Sequence, residues 1–195
     1  AFNSDLSSWN TSNCTNMKEM FKNATTFDRD LSLWNMSNVE DISCMFSNAT
    51  AMKASLKPKV GKFTSNEKLK EAAKEWVQDK EKAKRKYGPI EDWDVSEVTS
   101  FYELFVGATY FNEDLSRWDV SNCTNMYRMF YGCSAFNSDL SSWNTSNCMY
   151  MGGMFYECST FNSDLSSWNM SKVEYTIYMF NNAIAMKASH KPKGV

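Results

Sequence analysis

The sequence predicts an α/β solenoid, a stack of 25-residue turns that each contain one strand followed by one helix. Three observations lead to this prediction. Tryptophans recur at a 25-residue interval in two groups, a fourteen-residue segment occurs twice without change, and the apolar spacing within each turn changes from every second residue to every third or fourth. The first spacing is typical of a strand and the second of one helical face. Repeats of one design bury their apolar residues by stacking on each other.

The shorter period is most visible at tryptophan. Inside each group the members follow each other at a 25-residue interval, and a 59-residue interval separates the two groups. The common pattern is F-N-x-D-L-S-x-W-[DN]-x-S, and Met, Phe and Ala or Cys follow it at fixed positions. Six turns therefore share one plan. Their tryptophans are Trp9, Trp34, Trp93, Trp118, Trp143 and Trp168.

A longer, 134-residue period relates two modules. AFNSDLSSWNTSNC starts at Ala1 and again at Ala135, and AMKAS starts at Ala51 and again at Ala185. Because the sequence starts inside a module, we expect the chain to belong to a longer tandem array. The predicted divisions are the C-terminal turns of one solenoid module at residues 1–61, a capping helix at residues 62–89 and the four-turn solenoid block of the next module at residues 90–195.

Each turn is predicted to begin with a strand and to continue as a helix. In LSSWNTS and LSRWDVS, inward and outward positions alternate about the tryptophan. Farther along, CTNMYRMFYGC places Cys123, Met126, Met129 and Phe130 three or four residues apart, as on one face of a helix. One strand and one helix in about 25 residues is the plan of a leucine-rich repeat.

The segment TSNEKLKEAAKEWVQDKEKAKRKYGP, between the two repeat blocks, is predicted to form an amphipathic helix. Thr64 and Glu67 have the spacing of a capping box, and Gly88 followed by Pro89 marks the end. We expect this helix to cover the apolar end of the following stack. The alternative is a lysine-rich helix that binds acidic lipids or a protein partner. Its predicted apolar face consists of Leu69, Ala72, Ala73, Trp76, Ala83 and Tyr87.

The repeat motif F-N-x-D-L-S-x-W resembles the BspA-type leucine-rich repeat family. It is present most fully in AFNSDLSSWNTSNCTNMKEMF and YFNEDLSRWDVSNCTNMYRMF. The resemblance is to the variant of mycoplasma surface lipoproteins and of secreted protist proteins, and it covers all six turns. It implies an extracellular or cell-surface protein, often an adhesin, and it provides no catalytic residue.

Residues that recur at every turn form ladders with both structural and functional interpretations. The tryptophans are expected in the core, with sugar binding as the alternative. The aspartates are expected to be solvated or to cap backbone N–H groups, with Ca²⁺ binding as the alternative, and no metal site is assigned. These aspartates are Asp5, Asp30, Asp114, Asp139 and Asp164.

Cysteines occupy equivalent positions on adjacent turns. Cys123 and Cys148 share one position, and Cys133 and Cys158 share another, so each pair is expected about one strand spacing apart. In a secreted chain this spacing predicts two disulfides, Cys123–Cys148 and Cys133–Cys158. The alternative is that the cysteines fill small apolar positions.

Eight Asn-x-Ser/Thr sequons are candidate acceptors of N-linked glycans. Asn10 and its equivalents follow an inward-facing tryptophan, so their side chains are expected to point outward. The eight candidates are Asn10, Asn13, Asn23, Asn35, Asn48, Asn122, Asn144 and Asn169.

Composition and motifs restrict the function further. The net charge of −2 argues against nucleic acid binding, and no apolar run reaches the roughly 20 residues that span a bilayer. No nucleophile, base and orienting group recur at a useful spacing, and no phosphate-binding glycine loop is present. We therefore expect neither an enzyme nor a cofactor.

The sequence favours a structural extracellular protein, either a glycosylated filament core or a cell-surface stalk. In both forms, modules or subunits would join head to tail, so the main partner would be the protein itself. The alternative is a surface adhesin, a leucine-rich-repeat module that binds a ligand. The outward positions vary little between turns, which favours the structural hypothesis.

Overall fold

The computed structural model describes residues 2–195. The only β-pairing in these residues consists of isolated parallel bridges between single positions. The prediction of an α/β solenoid, with a leucine-rich-repeat-like strand and helix in each turn, is therefore wrong, because the repeats consist of turns and irregular backbone. The helices are α1 at Asn66–Gln78, α2 at Lys80–Tyr87 and the 3₁₀-helices Ala54–Leu56, Ile90–Asp92 and Ala188–His190.

The segments predicted as helices are runs of tight turns, each eight residues long, and we call each segment a rung. In every rung the fourth and eighth residues have positive φ, as at Arg128 (53°) and Gly132 (75°). A left-handed residue at every fourth position ends each helical turn before another can form. The inward positions of successive turns lie three or four residues apart. Apolar residues on a helical face have the same spacing, so the sequence pattern fits both structures. The rungs are residues 16–23, 41–48, 100–107, 125–132, 150–157 and 175–182.

Backbone hydrogen bonds join consecutive rungs. The N–H groups of the second, fourth, sixth and eighth residues donate to carbonyls of the next rung, and all four bonds leaving rung 150–157 are 2.9 Å long. This pattern satisfies backbone groups that a helix would pair internally. The four bonds run from Met151 to Tyr175, from Gly153 to Ile177, from Phe155 to Met179 and from Glu157 to Asn181.

The segments predicted as strands are also turns, and they direct the tryptophan inward. The N–H of Trp143 donates to the carbonyl of Leu140 at 3.1 Å, which closes a tight turn. The ring Nε1 of Trp143 donates to the carbonyl of Leu115, 28 residues earlier, at 3.0 Å. Five of the six tryptophans are buried, as expected for the core interpretation, while Trp9 is 53% exposed. The same Nε1 bond joins Trp34 to Leu6, Trp118 to Ile90 and Trp168 to Leu140.

Aromatic rings fill the core at the same 25-residue interval. The ring of Phe136 stacks between those of Phe111 and Phe161, with centroid distances of 5.9 and 5.7 Å. Phe130 stacks on Phe136 at 4.0 Å and so joins the rung to this row. Offset stacking of this kind adds about 0.5–1.5 kcal/mol per pair to the burial of the ring surface.

The two helices form from the lysine-rich segment between the repeat blocks. The first, α1, begins after Ser65, whose side chain accepts a hydrogen bond from the N–H of Lys68 at 3.3 Å. The predicted capping box of Thr64 and Glu67 is therefore wrong by one residue at its N-cap. Gly88, with φ of 74°, follows α2 and closes its C-terminus by donating its N–H to the carbonyl of Lys84 at 3.0 Å.

The chain divides into two compact units. Unit 1 comprises Ala1–Gly61 with Glu81–Gly88, and unit 2 comprises Lys62–Lys80 with Pro89–Val195. Unit 1 therefore contains two rungs and most of α2, whereas unit 2 contains four rungs and α1.

Replacing Trp143 by phenylalanine is expected to destabilise unit 2 by about 1–3 kcal/mol. The substitution retains an aromatic ring but leaves the buried carbonyl of Leu115 without its Nε1–H donor. The matched control is Tyr110→Phe, which removes a polar atom from a ring that is 94% exposed and should change stability by less than about 0.5 kcal/mol. Urea unfolding measures both variants. Equal midpoints for the two would contradict a structural role for this hydrogen bond.

Candidate functional site

The candidate sites lie on the turn surfaces. Within the described residues, no group of three or more His, Cys, Asp or Glu side chains is placed to hold a metal ion. A pocket of about 320 Å³ in unit 2 lies beside Trp76. Its charged lining residues, Lys80 and Glu113, form an ion pair at 2.7 Å.

The aspartate ladder caps backbone N–H groups. In five of the six turns the carboxylate Oδ1 accepts a hydrogen bond from the N–H two residues later, as from Ser116 to Asp114 at 2.9 Å. Bonds from the Ser116 hydroxyl and N–H hold the pKa of Asp114 below its ordinary value. This geometry matches the capping role expected from the sequence. The same bond occurs at Asp5, Asp30, Asp139 and Asp164.

All eight sequon asparagines are exposed, and four of them begin turns of the same kind as the aspartates. The Oδ1 of Asn144 accepts a hydrogen bond from the N–H of Ser146 at 3.1 Å. Its Nδ2, the atom that would carry a glycan, makes no hydrogen bond within residues 2–195. The four asparagines with this geometry are Asn10, Asn35, Asn144 and Asn169.

Two other sequons use their Nδ2 group in contacts between repeats. Asn122 donates to the carbonyl of Ser96 at 2.8 Å, and Asn48 donates to the Oδ1 of Asn23 at 3.0 Å. A glycan on either nitrogen would have to fit against the neighbouring repeat. The remaining two sequons are Asn23, which accepts that bond, and Asn13, and both are exposed.

The predicted disulfides are absent, because all six cysteines of the chain are free thiols. Cys133 and Cys158 make the same bond one repeat apart, since each Sγ donates to a phenylalanine carbonyl 28 residues earlier at 3.0 Å. Cys123 likewise donates to the carbonyl of Asn125 at 3.3 Å, and Cys148 contacts backbone carbonyls at 3.6 and 3.7 Å. The predictions of Cys123–Cys148 and Cys133–Cys158 are therefore wrong, and the cysteines act as small core residues.

Burial keeps these four thiols protonated. It raises the pKa of Cys123 and of Cys133 to about 12 and that of Cys148 to about 11, and it raises the pKa of Cys158 as well. A thiol rather than a thiolate is present at neutral pH, so these cysteines are poor nucleophiles.

The structure also assembles a tyrosine-rich surface that the sequence analysis missed. The rings of Tyr102 and Tyr127 stack at 5.7 Å, and those of Tyr131 and Tyr156 stack at 4.4 Å. Pairs of tyrosines one repeat apart were the available signal in the sequence. Seven of the nine tyrosines lie on the rungs of unit 2 and form what we call the tyrosine face: Tyr102, Tyr127, Tyr131, Tyr150, Tyr156, Tyr175 and Tyr178.

One glycine makes the tyrosine face continuous. Gly152 occupies the position equivalent to Tyr127 in the next rung, and the ring of Tyr175 lies over it. A Cβ atom at Gly152 would clash with that ring. Tyr175 therefore reaches Tyr127 across the intervening rung, with a centroid distance of 6.1 Å.

Arg128 supplies a positive charge within the tyrosine face. Its guanidinium lies 5.0 Å from the ring centroid of Tyr127 and 5.1 Å from that of Tyr131, and it is 3.7 Å from the carboxylate of Glu103. The Glu103 charge raises the pKa of the Tyr102 phenol above its ordinary value. Rigid tyrosines around an arginine are the composition of many protein-binding surfaces.

Comparisons with known proteins identify one family. Residues 1–83 and 74–192 both match the family described as "Mycoplasma protein of unknown function, DUF285". Searches of curated proteins and of solved structures found no match. Among the helices of the described residues, none has the length and apolar character needed to cross a membrane.

The exposed Cys44 is expected to react with Ellman's reagent at pH 8 at least about tenfold faster than the four buried thiols. As the control, all six cysteines should react at one rate in urea.

Burial raises the folded-state pKa of the buried thiols. The stability that these thiols contribute is therefore full below about pH 8.5 and falls as pH rises towards 11–12. Oxidised Cys123 or Cys133 in native material would contradict the free-thiol structure.

Proposed function

This chain belongs to the DUF285 family, and we propose that it is a structural extracellular protein built by stacking uniform modules. The assembled form would be a glycosylated filament core or a cell-surface stalk. In this proposal the main partner is the protein itself, and neither catalysis nor a cofactor has a role.

The observation that carries this proposal is the constancy of the contact between rungs. Every consecutive pair of rungs within a unit uses backbone bonds with the same register. Such bonds do not depend on side-chain identity, so another rung can be added without a new type of surface. A contact of this kind is suited to repetition rather than to selective recognition.

We further propose that these repeats are related to the BspA-type repeats, on the basis of the F-N-x-D-L-S-x-W motif. The strand and helix of a leucine-rich repeat are not part of this relationship. An extracellular or cell-surface location, and covalent glycans on the outward sequons, follow from the relationship as expectations.

A second candidate function is adhesion through the tyrosine face. The supporting observation is the restriction of this surface to unit 2, since the rungs of unit 1 contain no tyrosine. Arg128 and Glu103 add charges that could orient a partner on the aromatic surface. The other outward positions vary little between turns, so adhesion is less well supported than the structural function.

Fibres of uniform width are expected in electron micrographs of the protein purified from its natural source. Aligned fibres should also give an X-ray reflection near about 4.8 Å along the fibre axis, because that is the spacing of adjacent backbones joined by parallel hydrogen bonds. Urea-treated material is the control for both measurements. Dispersed particles without this reflection would contradict the structural proposal and favour adhesion.

In native material, glycan occupancy is expected to be higher at asparagines whose Nδ2 makes no hydrogen bond than at those whose Nδ2 is bonded. Glycopeptide mass spectrometry should find higher occupancy at Asn144 and Asn169, whose Nδ2 atoms are uncommitted, than at Asn122, whose Nδ2 bonds to Ser96. Asn48 serves as a second committed site. Bare asparagine at all eight sequons would contradict the glycosylated form of the proposal.

A further inference from the structure

Two rungs that occupy equivalent positions in the 134-residue period have the same local structure. In rung 41–48, Lys57 lies over the ring of Phe46 with its Nζ 5.3 Å from the centroid. In rung 175–182, Lys191 lies over Phe180 at the same distance. Each is followed by an equivalent 3₁₀-helix, Ala54–Leu56 or Ala188–His190. The two rungs can therefore be compared position by position.

In unit 1, a helix end accepts one N–H group at the outer edge of rung 41–48. The N–H of Ile42 donates to the carbonyl of Arg85 at 2.9 Å, in the segment Glu81–Gly88. The last carbonyls of a helix have no partner within the helix, and the outer edge of a rung consists of N–H groups directed away from the preceding rung. The helix end therefore supplies hydrogen-bond acceptors, and the rung edge supplies donors. Arg85 also brings positive charge towards Asp41, whose pKa it helps to lower after the larger effects of Ser43.

In unit 2, no helix end among residues 2–195 accepts an N–H group of the equivalent edge. We call residues 175–182 the terminal rung. Ile177 is 52% and Tyr178 68% exposed, and Ile184 just beyond is 83% exposed. Within the described residues, no partner accepts the four N–H groups of this edge, whereas all four equivalents in rung 150–157 are bonded. These four groups belong to Thr176, Tyr178, Phe180 and Asn182.

We propose that the terminal rung is a docking site for the C-terminal end of a basic amphipathic α-helix, of the same chemistry as residues 81–88, from a neighbouring module. The last carbonyls of that helix accept the N–H of Thr176, as the carbonyl of Arg85 accepts that of Ile42. Its apolar side packs on Ile177 and Tyr178. This inference rests on the proposed stacking of modules and names the contact that joins them.

The charges of the two rungs specify the partner further. Tyr175 replaces Asp41 at the position near Arg85, so an equivalent arginine would meet an aromatic ring instead of a carboxylate. Arginine binds both, through a salt bridge or through a cation–π contact. Within residues 2–195, segment 81–88 belongs to unit 1. The occupant is therefore a further helix of this chemistry, supplied by another module.

The test extends the full 195-residue chain by a second copy of residues 62–89. Val195 is equivalent to Gly61 in the 134-residue period, so the appended copy begins where residue 62 begins relative to rung 41–48. Hydrogen exchange measured by NMR should show the amide of Thr176 exchanging at least about tenfold more slowly in the extended chain than in the original. The amide of Gly153, bonded in both chains, is the internal control.

The matched variant carries Ala83→Asp in the appended copy only. Ala83 is fully buried, so an aspartate there should prevent docking and restore fast exchange at Thr176. Unchanged exchange in the extended chain, or equal slowing in both extended chains, would overturn the inference. The exchange measurement is made on single chains, so it is independent of the fibre test. A negative exchange result would not change the fibre result, and absence of fibres would not change the exchange result.

Discussion

The backbone hydrogen bonds between rungs are the interaction on which the rest of the structure depends. Each rung bends through two left-handed residues, as at Arg128 and Gly132, so it cannot pair its own N–H groups as a helix does. The next rung along the chain supplies the missing acceptors. An individual bond of this kind contributes only about 0.5–1.5 kcal/mol, but leaving its buried donor unpaired costs about 1–3 kcal/mol. A rung is therefore stable only beside another rung.

This requirement determines both the core and the surface. Because equivalent residues lie one repeat apart, identical side chains stack, as Phe136 does between Phe111 and Phe161. Polar side chains satisfy the groups that the rung bonds leave open, such as the N–H capped by Asp114. The same requirement makes the last rung of any stack incomplete, which explains why unit 1 uses the end of a helix at Ile42.

Sequence reasoning identified the period, the inward tryptophans and the helical segment, because repetition and strong amphipathic spacing are local signals. It assigned the wrong backbone to the repeats. The spacing of Met126, Met129 and Phe130 fits a helical face and also a run of turns, and only positive φ at Arg128 distinguishes them. The disulfide predictions were wrong for a related reason. Equal positions on adjacent repeats bring Cys133 and Cys158 close, but each thiol is held by a backbone carbonyl. The contact of Tyr127 with Tyr175 spans two repeats and was not visible as a pair at the repeat interval.

The most direct test of the rung structure is the scalar coupling that NMR detects across a hydrogen bond, from the amide nitrogen to the carbonyl carbon of its acceptor. The rung structure predicts a coupling from the nitrogen of Gly153 to the carbonyl carbon of Ile177, and another from Arg128 to Gly152. A helix would instead couple Gly153 to the carbonyl of Met149, four residues earlier. Observation of that local coupling, without the one to Ile177, would contradict the rung structure.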